Sequence, residues 1–510
     1  MPQKHKKTDI MEIKKLLLSH NIFSSKAFRT VLELAKKEKK ELYLVGGFLR
    51  DLRLGRVKEA LDLDFSLKSG SIEFGKRVAR SLGAGFVVLD KEHGCCRVVF
   101  SEKKIASLTF DFVDFRGKDL KIDLMKRDFT INALAVRLPF EDNQVLDYCG
   151  ACRDLGNKLI RVASSTSFDE DPLRILRAFS LSAILGFKIE PDTMRMIDRK
   201  REALKDVAGE RVRDELFKIL NTADSRKFIG LLDKHKVLEN VIPQIRVMHN
   251  VRQGGYHHLD VWGHSLETLK KLEELIGDVV KKNTEIELYL KEVLAADRKR
   301  AQLLKLAALL HDIGKPKAHE VKAGKTMFHG HERIGRIISD SVSEKLKLST
   351  RERYCLDTII FWHLRPGYLA DNEVLTKRAV HRYFRDTGDE AASVLLVSIA
   401  DQRATRGPLA TPESRRKHEA VSFSLLKEFF EKKKEEPLVR LVNGNDLIKK
   451  LKLEPGPSFS VILDAVEDAQ VEGAIKTKAQ ALSFAAKLSK SLKAVAHLNA
   501  KKTKVKKGCK

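Results

Sequence analysis

The chain has 510 residues, 43% of them hydrophobic and 33% charged, and a formal net charge of +27. That length exceeds what one hydrophobic core serves and argues for three or four domains. The charge excess favours a polyanion such as RNA over a small neutral ligand. Apolar runs are too short for a membrane span. The basic start MPQKHKKTDIMEIKK lacks the apolar core and cleavage site of a signal peptide. A cytoplasmic protein is therefore expected. Six cysteines, two of them adjacent at Cys95-Cys96, form no zinc-ribbon or disulfide framework.

Residues 1–40 read as a helical extension, with apolar positions at Ile13, Leu16, Leu17, Val31, Leu32, Leu34 and Ala35. The stretch Leu42 to Leu67, LYLVGGFLRDLRLGRVKEALDLDFSL, reads as strand, glycine turn, amphipathic helix and strand. The turn Gly46-Gly47 offers backbone N–H groups to an anion, and Arg50 and Asp51 ride the helix. Asp62 and Asp64, two apart on a strand, share one face. Two carboxylates held together are costly unless a cation sits between them, and hard oxygen ligands suit Mg²⁺. The combination predicts a nucleoside triphosphate site for metal-assisted phosphoryl or nucleotidyl transfer. GGFLRD followed by LDLDF resembles the opening signature of the class II tRNA nucleotidyltransferase and bacterial poly(A) polymerase family.

The next segments predict a helix over Ser71–Leu82 and two strands, FVVLD and CRVVF, around a turn at Lys91 to Gly94. LTFDFVDFR alternates with period two. Thr109, Asp111, Val113 and Phe115 share one face, and Phe110, Phe112 and Asp114 the other. Read alone, Asp111 is equally a solvated strand residue; the resemblance implies a third carboxylate on a strand ending in Arg116. In KRDFTINALAV, Arg127 and Asp128 are expected just before a helix, the arginine to grip phosphate and the aspartate to cap. The string resembles the family's RRDFTINALA motif, with Lys126 replacing the first arginine. The resemblance implies nucleotide-binding roles for Gly46, Gly47, Arg50, Asp51, Arg127 and Asp128. LDYCGACRDLGNKLIRV reads as strand, turn and strand, with Asp147, Gly150 and Asp154 at the family's spacing.

SFDEDPLRILRAF opens a helical region in which Pro172 suits the first helical position and Asp171 the N-cap. Asp171 and Arg174 are also expected to share a helix face, one accepting and one donating hydrogen bonds. Glu170, Asp171 and Arg174 match the EDxxR motif of the family, which implies a protein-borne template for incoming CTP and ATP. Arg177 lies further along that face. In GERVRDELFKIL, Arg211 and Glu215 stand four apart, either as an exposed salt bridge or as groups that orient the template residues.

Beyond residue 250 a second constellation runs His264, His311-Asp312, His331, His363 and Asp401. Histidine and aspartate closing an apolar helix, with further such residues before and after, fit metal ligation. The order resembles the HD-domain phosphohydrolases over roughly 255–405. It implies a divalent metal site, with Mn, Ni, Fe and Mg all open. His264, His311, Asp312 and Asp401 form the basic set, and His331 and His363 extend it to two metals. Tyr256, His257 and His258 are read as supporting groups. NGNDLIKKLKLEPGPSFSVILDAVEDAQVEG resembles the body segment of HD-bearing family members, and the chain closes on a lysine run.

Together these readings predict an α+β nucleotidyltransferase head with a small mixed sheet, followed by an all-α neck, HD body and tail. The expected boundaries are a helical extension at 1–40, head at 41–160, neck at 161–250, HD domain at 251–410 and tail at 411–510. The resemblance implies a template-independent enzyme adding CCA, or part of it, to tRNA 3′ ends from CTP and ATP. Asp62, Asp64 and Asp111 would be catalytic, with Mg²⁺ on the first two. Poly(A), CC-only or A-only addition to an RNA 3′ end are the alternatives, and hydrolysis of RNA ends or nucleotides by the HD domain is the reading from another class. Oligomeric state is left open.

Overall fold

The computed structural model describes residues 16–17, 20–56, 61–102, 105–139, 145–434 and 438–507. The expected N-terminal helix around Ile13 and the last lysine-rich residues, 508–510, lie outside them. The chain divides into two compact units, Met1–Pro243 and Gln244–Lys510.

The first unit is built on a seven-stranded mixed sheet of order β3-β4-β5-β2-β1-β6-β7. Its strands are β1 (Leu42–Val45), β2 (Leu61–Leu67), β3 (Gly85–Asp90), β4 (Cys95–Glu102), β5 (Ile105–Asp114), β6 (Leu134–Leu138) and β7 (Val145–Asp147). The helices α1 (Lys26–Lys37) and α2 (Gly47–Arg53) flank β1, and α3 (Ser71–Leu82) follows β2. β2 and β5 run parallel; the other neighbours in this sheet are antiparallel. Period-two patterning divides the two faces. Leu61, Leu63, Phe65 and Leu67 are buried, and Phe110 and Phe112 stand beside them on β5. Phe65 stacks on Phe112 with ring centroids 5.1 Å apart, and Phe74 of α3 meets Phe112 edge-on at 5.2 Å. The opposite face carries Asp62, Asp64 and Asp111. Its β1 end is covered by α4 (Leu120–Met125), where Leu120 and Leu124 pack on Tyr43 and Val45.

Two local readings are corrected. No helix follows Asp128: a single 3₁₀ turn, Thr130–Asn132, leads into β6, which pairs with β1. Leu134, Ala135, Val136 and Leu138 are all buried, so their small apolar run serves a strand covered on both faces rather than a helix stripe. The turn expected between β7 and the next strand is a short helix, α5 (Ala151–Gly156), whose first N–H groups are capped by Asp147. Asp114 accepts from the Ser71 backbone N–H at the start of α3. Cys149 and Cys152 have a Cys-x-x-Cys spacing; both are free thiols, and burial pushes Cys149 up to about 11.

After the sheet come α6 (Ser167–Glu170), α7 (Leu173–Leu185) and α8 (Gly209–Leu220). A two-stranded parallel ribbon, Leu159–Ile160 with Lys188–Ile189, interrupts this otherwise helical stretch.

The second unit is helical, with two small antiparallel ribbons. Its centre comprises α9 (Val261–Val280), α10 (Arg300–Leu310), α11 (His331–Lys345), α12 (Thr350–Trp362) and α13 (Ala391–Ala404). The α10 and α13 helices are buried nearly all round, as helices at the middle of a helical domain must be. Helices α14 (Gly444–Leu451) and α15 (Ser458–Val471) contribute to a separate small core around Leu447, Ile462 and Val466. No helix among the described residues is long and apolar enough to cross a membrane.

Phe112→Ala removes the ring shared by Phe65 and Phe74. It is expected to destabilise the first unit by about 3–5 kcal/mol, read as a shift of the denaturant midpoint with the second unit's transition unchanged.

Candidate active site and metal centre

One cleft of about 520 Å³ opens on the polar face of the sheet and extends to α7 and α8. Gly46, Gly47, Arg50, Asp64, Asp111, Arg127, Asp128, Asp171, Arg174 and Arg177 all line it, as do Arg116, Asn132, Arg211 and Glu215. Two predicted residues do not. Asp62 is exposed on the strand beside the cleft, and the Asp51 carboxylate is occupied by Arg50, whose Nε and Nη2 donate to it at 2.8 and 2.9 Å.

Strand register places the carboxylates. Asp64 is the parallel partner of Asp111, and Asp111 stands opposite Arg97 across β4. Burial pushes Asp64 up to about 6; Arg127 works against this, while Asp111 and Asp62 add to it. A divalent cation would remove that penalty, and the donors are hard carboxylate oxygens, so this face fits Mg²⁺. Gly46 lets the backbone pass flush against the site. Its φ is +84°, and a Cβ there would lie 2.6 Å from Asp64 Oδ2 and 3.2 Å from Arg127 Nη1. Arg127 is buried, donates through Nη2 to Ser66 Oγ at 3.1 Å, and has no partner for its Nε.

A continuous polar chain links the glycine turn to α7 and α8. Arg50 Nη1 donates to Asn132 Oδ1 at 2.6 Å, and Asn132 Nδ2 donates to Asp128 Oδ1 at 3.0 Å. Arg177 Nε donates to Asp128 Oδ2 at 2.6 Å and pairs with Glu215 at 3.5 Å. Glu215 also accepts from Ser180 and from Lys218. Burial alone would raise the Asp128 carboxyl; the Arg177 charge and the Asn132 and Phe129 donors override it and bring the group down to about 2.

Asp171 precedes α7 in extended backbone rather than sharing a helix face with Arg174. Its Oδ1 accepts from the Leu173 N–H at 3.2 Å and its Oδ2 from Arg211 Nη2 at 2.8 Å. The Arg174 fork is held by Ser167 Oγ at 2.9 Å and the Lys126 carbonyl at 3.0 Å. Arg211 and Glu215 therefore do not spend their charges on each other; they hold Asp171 and Arg177. The sequence reading missed Arg97 and Asn132. Period two in CRVVF carried a signal for Arg97; for Asn132 nothing local did.

In the second unit the six histidine and aspartate candidates form two groups. His264, His311 and Asp401 bring one ligand atom each within 4.8 Å of one another, as do Asp312, His331 and His363. His311 and His363 sit at the C-terminal ends of α10 and α12, and His331 opens α11. Their Nδ1 atoms lie 2.9, 2.7 and 2.8 Å from the Ala308, Ile360 and Phe328 carbonyls. A carbonyl only accepts, so each Nδ1 carries hydrogen and Nε2 is turned inward, the arrangement that orients metal-binding imidazoles. His331 Nε2 and His363 Nε2 are 3.4 Å apart, and His264 Nε2 is 2.8 Å from Asp401 Oδ1. Burial lowers His311, but Asp312 and Asp401 outweigh it and draw a proton there, up to about 10; a divalent ion would take that proton's place. The donor set fits two divalent cations. Gly314 allows the closing turn: a Cβ would collide with the His331 carbonyl. His257 packs its ring 4.5 Å from that of His264 and is pushed down to about 3, by burial first and then by Lys315.

Four family models match along the chain. They are the poly A polymerase head domain over 42–161, the RNA and SrmB-binding region of polymerase A over 186–248, the HD domain over 261–406 and tRNA nucleotidyltransferase domain 2 over 432–486. An A-adding tRNA nucleotidyltransferase of Deinococcus radiodurans is 31% identical over 448 residues, covering 86% of this chain and 94% of that protein. The chain belongs to the tRNA nucleotidyltransferase family. A CC-adding tRNA nucleotidyltransferase of Synechocystis is 27% identical over 88% of this chain and 94% of its own length. The solved structure of the Thermotoga maritima CCA-adding enzyme complexed with tRNA has the same fold. Its TM-score is 0.60 at 23% identity, covering 93% of this chain and 97% of that one. The expected architecture of a mixed-sheet head followed by a helical body with an HD domain is thus the observed one.

Two outcomes follow for this nucleotidyltransferase. Gly46→Ala is expected to lower kcat roughly 10²-fold by displacing Asp64, with the fold retained by circular dichroism. Asp128→Asn tests the buried pair. A carboxyl depressed in the folded state contributes stability above its unfolded value and loses it as pH falls toward 2. The variant is therefore expected to be about 2 kcal/mol less stable at neutral pH, and the gap should close between about pH 4 and 2, measured by urea titration.

Proposed function

We propose that this chain adds CCA, or its C or A part, to tRNA 3′ ends from CTP and ATP without a nucleic-acid template. The observation that carries the reading is one cleft holding a carboxylate face, a flush glycine turn, Arg127 and the Asp171–Arg174 pair. Relatives named for A addition and for CC addition are both similar over most of the chain, which supports a tRNA end as the acceptor and favours neither part.

In this account the Gly46-Gly47 backbone and Arg127 bind the triphosphate. Asp171 and Arg174, each already clamped by a neighbour, present one acceptor and one donor fork to the Watson–Crick edge of the incoming base. Mg²⁺ bound by Asp62 and Asp64 would neutralise triphosphate charge and make the RNA 3′-hydroxyl a better nucleophile. The 3′-oxygen then attacks the α-phosphorus and pyrophosphate leaves. Catalysis is mainly positioning and charge stabilisation. The net charge of +27 supports RNA as the acceptor, and the cytoplasm is the proposed location.

A second reading rests on its own observation. Two buried groups of inward-turned imidazoles and carboxylates support metal-dependent phosphoester hydrolysis in the HD domain, as a separate activity. Which divalent metal it takes is a matter of assay.

The test supplies tRNAs ending at the discriminator base, at C and at CC, with each labelled triphosphate. Incorporation of C, A or both is expected; no incorporation on any tRNA, with A-tailing of unrelated RNA, would overturn the reading. Asp64→Asn should abolish addition and leave phosphatase activity, and His311→Ala with Asp312→Ala should do the reverse. Loss of both activities in either variant would contradict two independent sites.

A further inference from the structure

The row Asp64, Asp111, Arg97 runs straight across β2, β5 and β4 on the polar face. Directly opposed side chains on neighbouring strands have Cβ atoms about 4.5–5.5 Å apart, so the guanidinium stands one position beyond the carboxylate nearest Asp64. It is not a loose surface pair. Arg97 Nε donates to Asp111 Oδ1 at 2.8 Å and Nη2 to Oδ2 at 2.7 Å, a two-bond fork on a carboxylate whose side chain is 18% exposed. Both Asp111 oxygens are thereby engaged and the carboxyl plane is fixed. Asp62, Asp64 and Asp111 are not among the described groups whose ligand atoms fall within 4.8 Å of one another.

We propose that Arg97 is a positioning residue of the nucleotidyl-transfer site that acts through Asp111. Its bidentate grip orients Asp111 beside Asp64, and its charge weakens the field of the carboxylates on that sheet face so that the divalent cation is held less tightly. This deepens the reading under Proposed function and rests on it. Two effects are separable because a guanidinium supplies both a planar fork and a charge, whereas an ammonium supplies only the charge. Arg97 is 43% exposed in its side chain, so its substitution leaves the buried aromatic face intact.

The experiment measures Mn²⁺ binding by electron paramagnetic resonance alongside steady-state addition, on the full chain. The head component is taken as the Mn²⁺ lost in Asp64→Asn. Arg97→Gln is expected to tighten that component by about three- to tenfold, as removal of a nearby cation from a carboxylate cluster should, while lowering kcat at saturating metal. Arg97→Lys is expected to keep wild-type Mn²⁺ affinity yet show the reduced kcat. Combining Arg97→Gln with Asp111→Asn should lower kcat no further than Asp111→Asn alone. Unchanged or weaker Mn²⁺ binding in Arg97→Gln, or additive kcat losses in the double variant, would overturn the proposal. A merely structural role would scale activity without moving metal affinity. Failure of the nucleotidyl-transfer reading itself would show as an inactive wild type, and the Mn²⁺ comparison would still be read.

Discussion

The first unit depends on the pair between Asp128 and Arg177. Asp128 lies in the turn that follows α4 and leads to β6, and Arg177 comes from the second turn of α7, so the pair fastens the sheet to the helices after it. The Asp128 side chain is 13% exposed and that of Arg177 40%, so the carboxylate is the buried partner and the guanidinium keeps it charged at a worth of about 2 kcal/mol. Around it, Asn132 carries the connection to Arg50 at the glycine turn, and Glu215 carries it to α8. The glycine turn and the helices α7 and α8 are thus joined by one polar chain.

The two candidate sites meet the same problem, clustered negative charge, by different means. In the head, carboxylates on a sheet face are answered by arginines, and the residual cost appears as a raised Asp64. In the HD unit, backbone carbonyls at helix ends hold three imidazoles by their Nδ1–H groups and turn Nε2 inward. The first arrangement leaves an open cleft for a large anionic substrate. The second is closed and buried, suited to resident cations.

Most of the head was legible in the sequence because its signals are local. Period two in LDLDF and LTFDFVDF gave strands β2 and β5, with Asp62 and Asp64 on one face of the first and Asp111 and Asp114 on opposite faces of the second. The helix over Ser71–Leu82 followed from its apolar spacing, and glycine after an apolar run marked the turn. What failed were segments whose local signal is ambiguous. Phe-Thr-Ile-Asn-Ala-Leu-Ala-Val was read as a helix, yet burial between β1 and β7 makes its end, from Leu134, a strand. Long-range pairings were the least readable. Of the two readings offered for Arg211 and Glu215, only the fold selects the one in which Arg211 reaches back to Asp171, and nothing in the sequence says that Asn132 joins Arg50 to Asp128. Asp51 was assigned to nucleotide because it sits in a motif; its carboxylate is turned to Arg50 instead. In the HD unit the residue types and order gave the candidate ligands, and only the fold shows that they sort into two groups of three.

Base selection is proposed to reside in protein side chains already in place before RNA arrives. The direct measurement is equilibrium binding of the four nucleoside triphosphates without RNA, for the wild type and Arg174→Ala. CTP, ATP or both are expected to bind more tightly than GTP and UTP, and Arg174→Ala is expected to level the four while keeping triphosphate affinity. Equal binding of all four by the wild type, or discrimination unchanged in the variant, would contradict it.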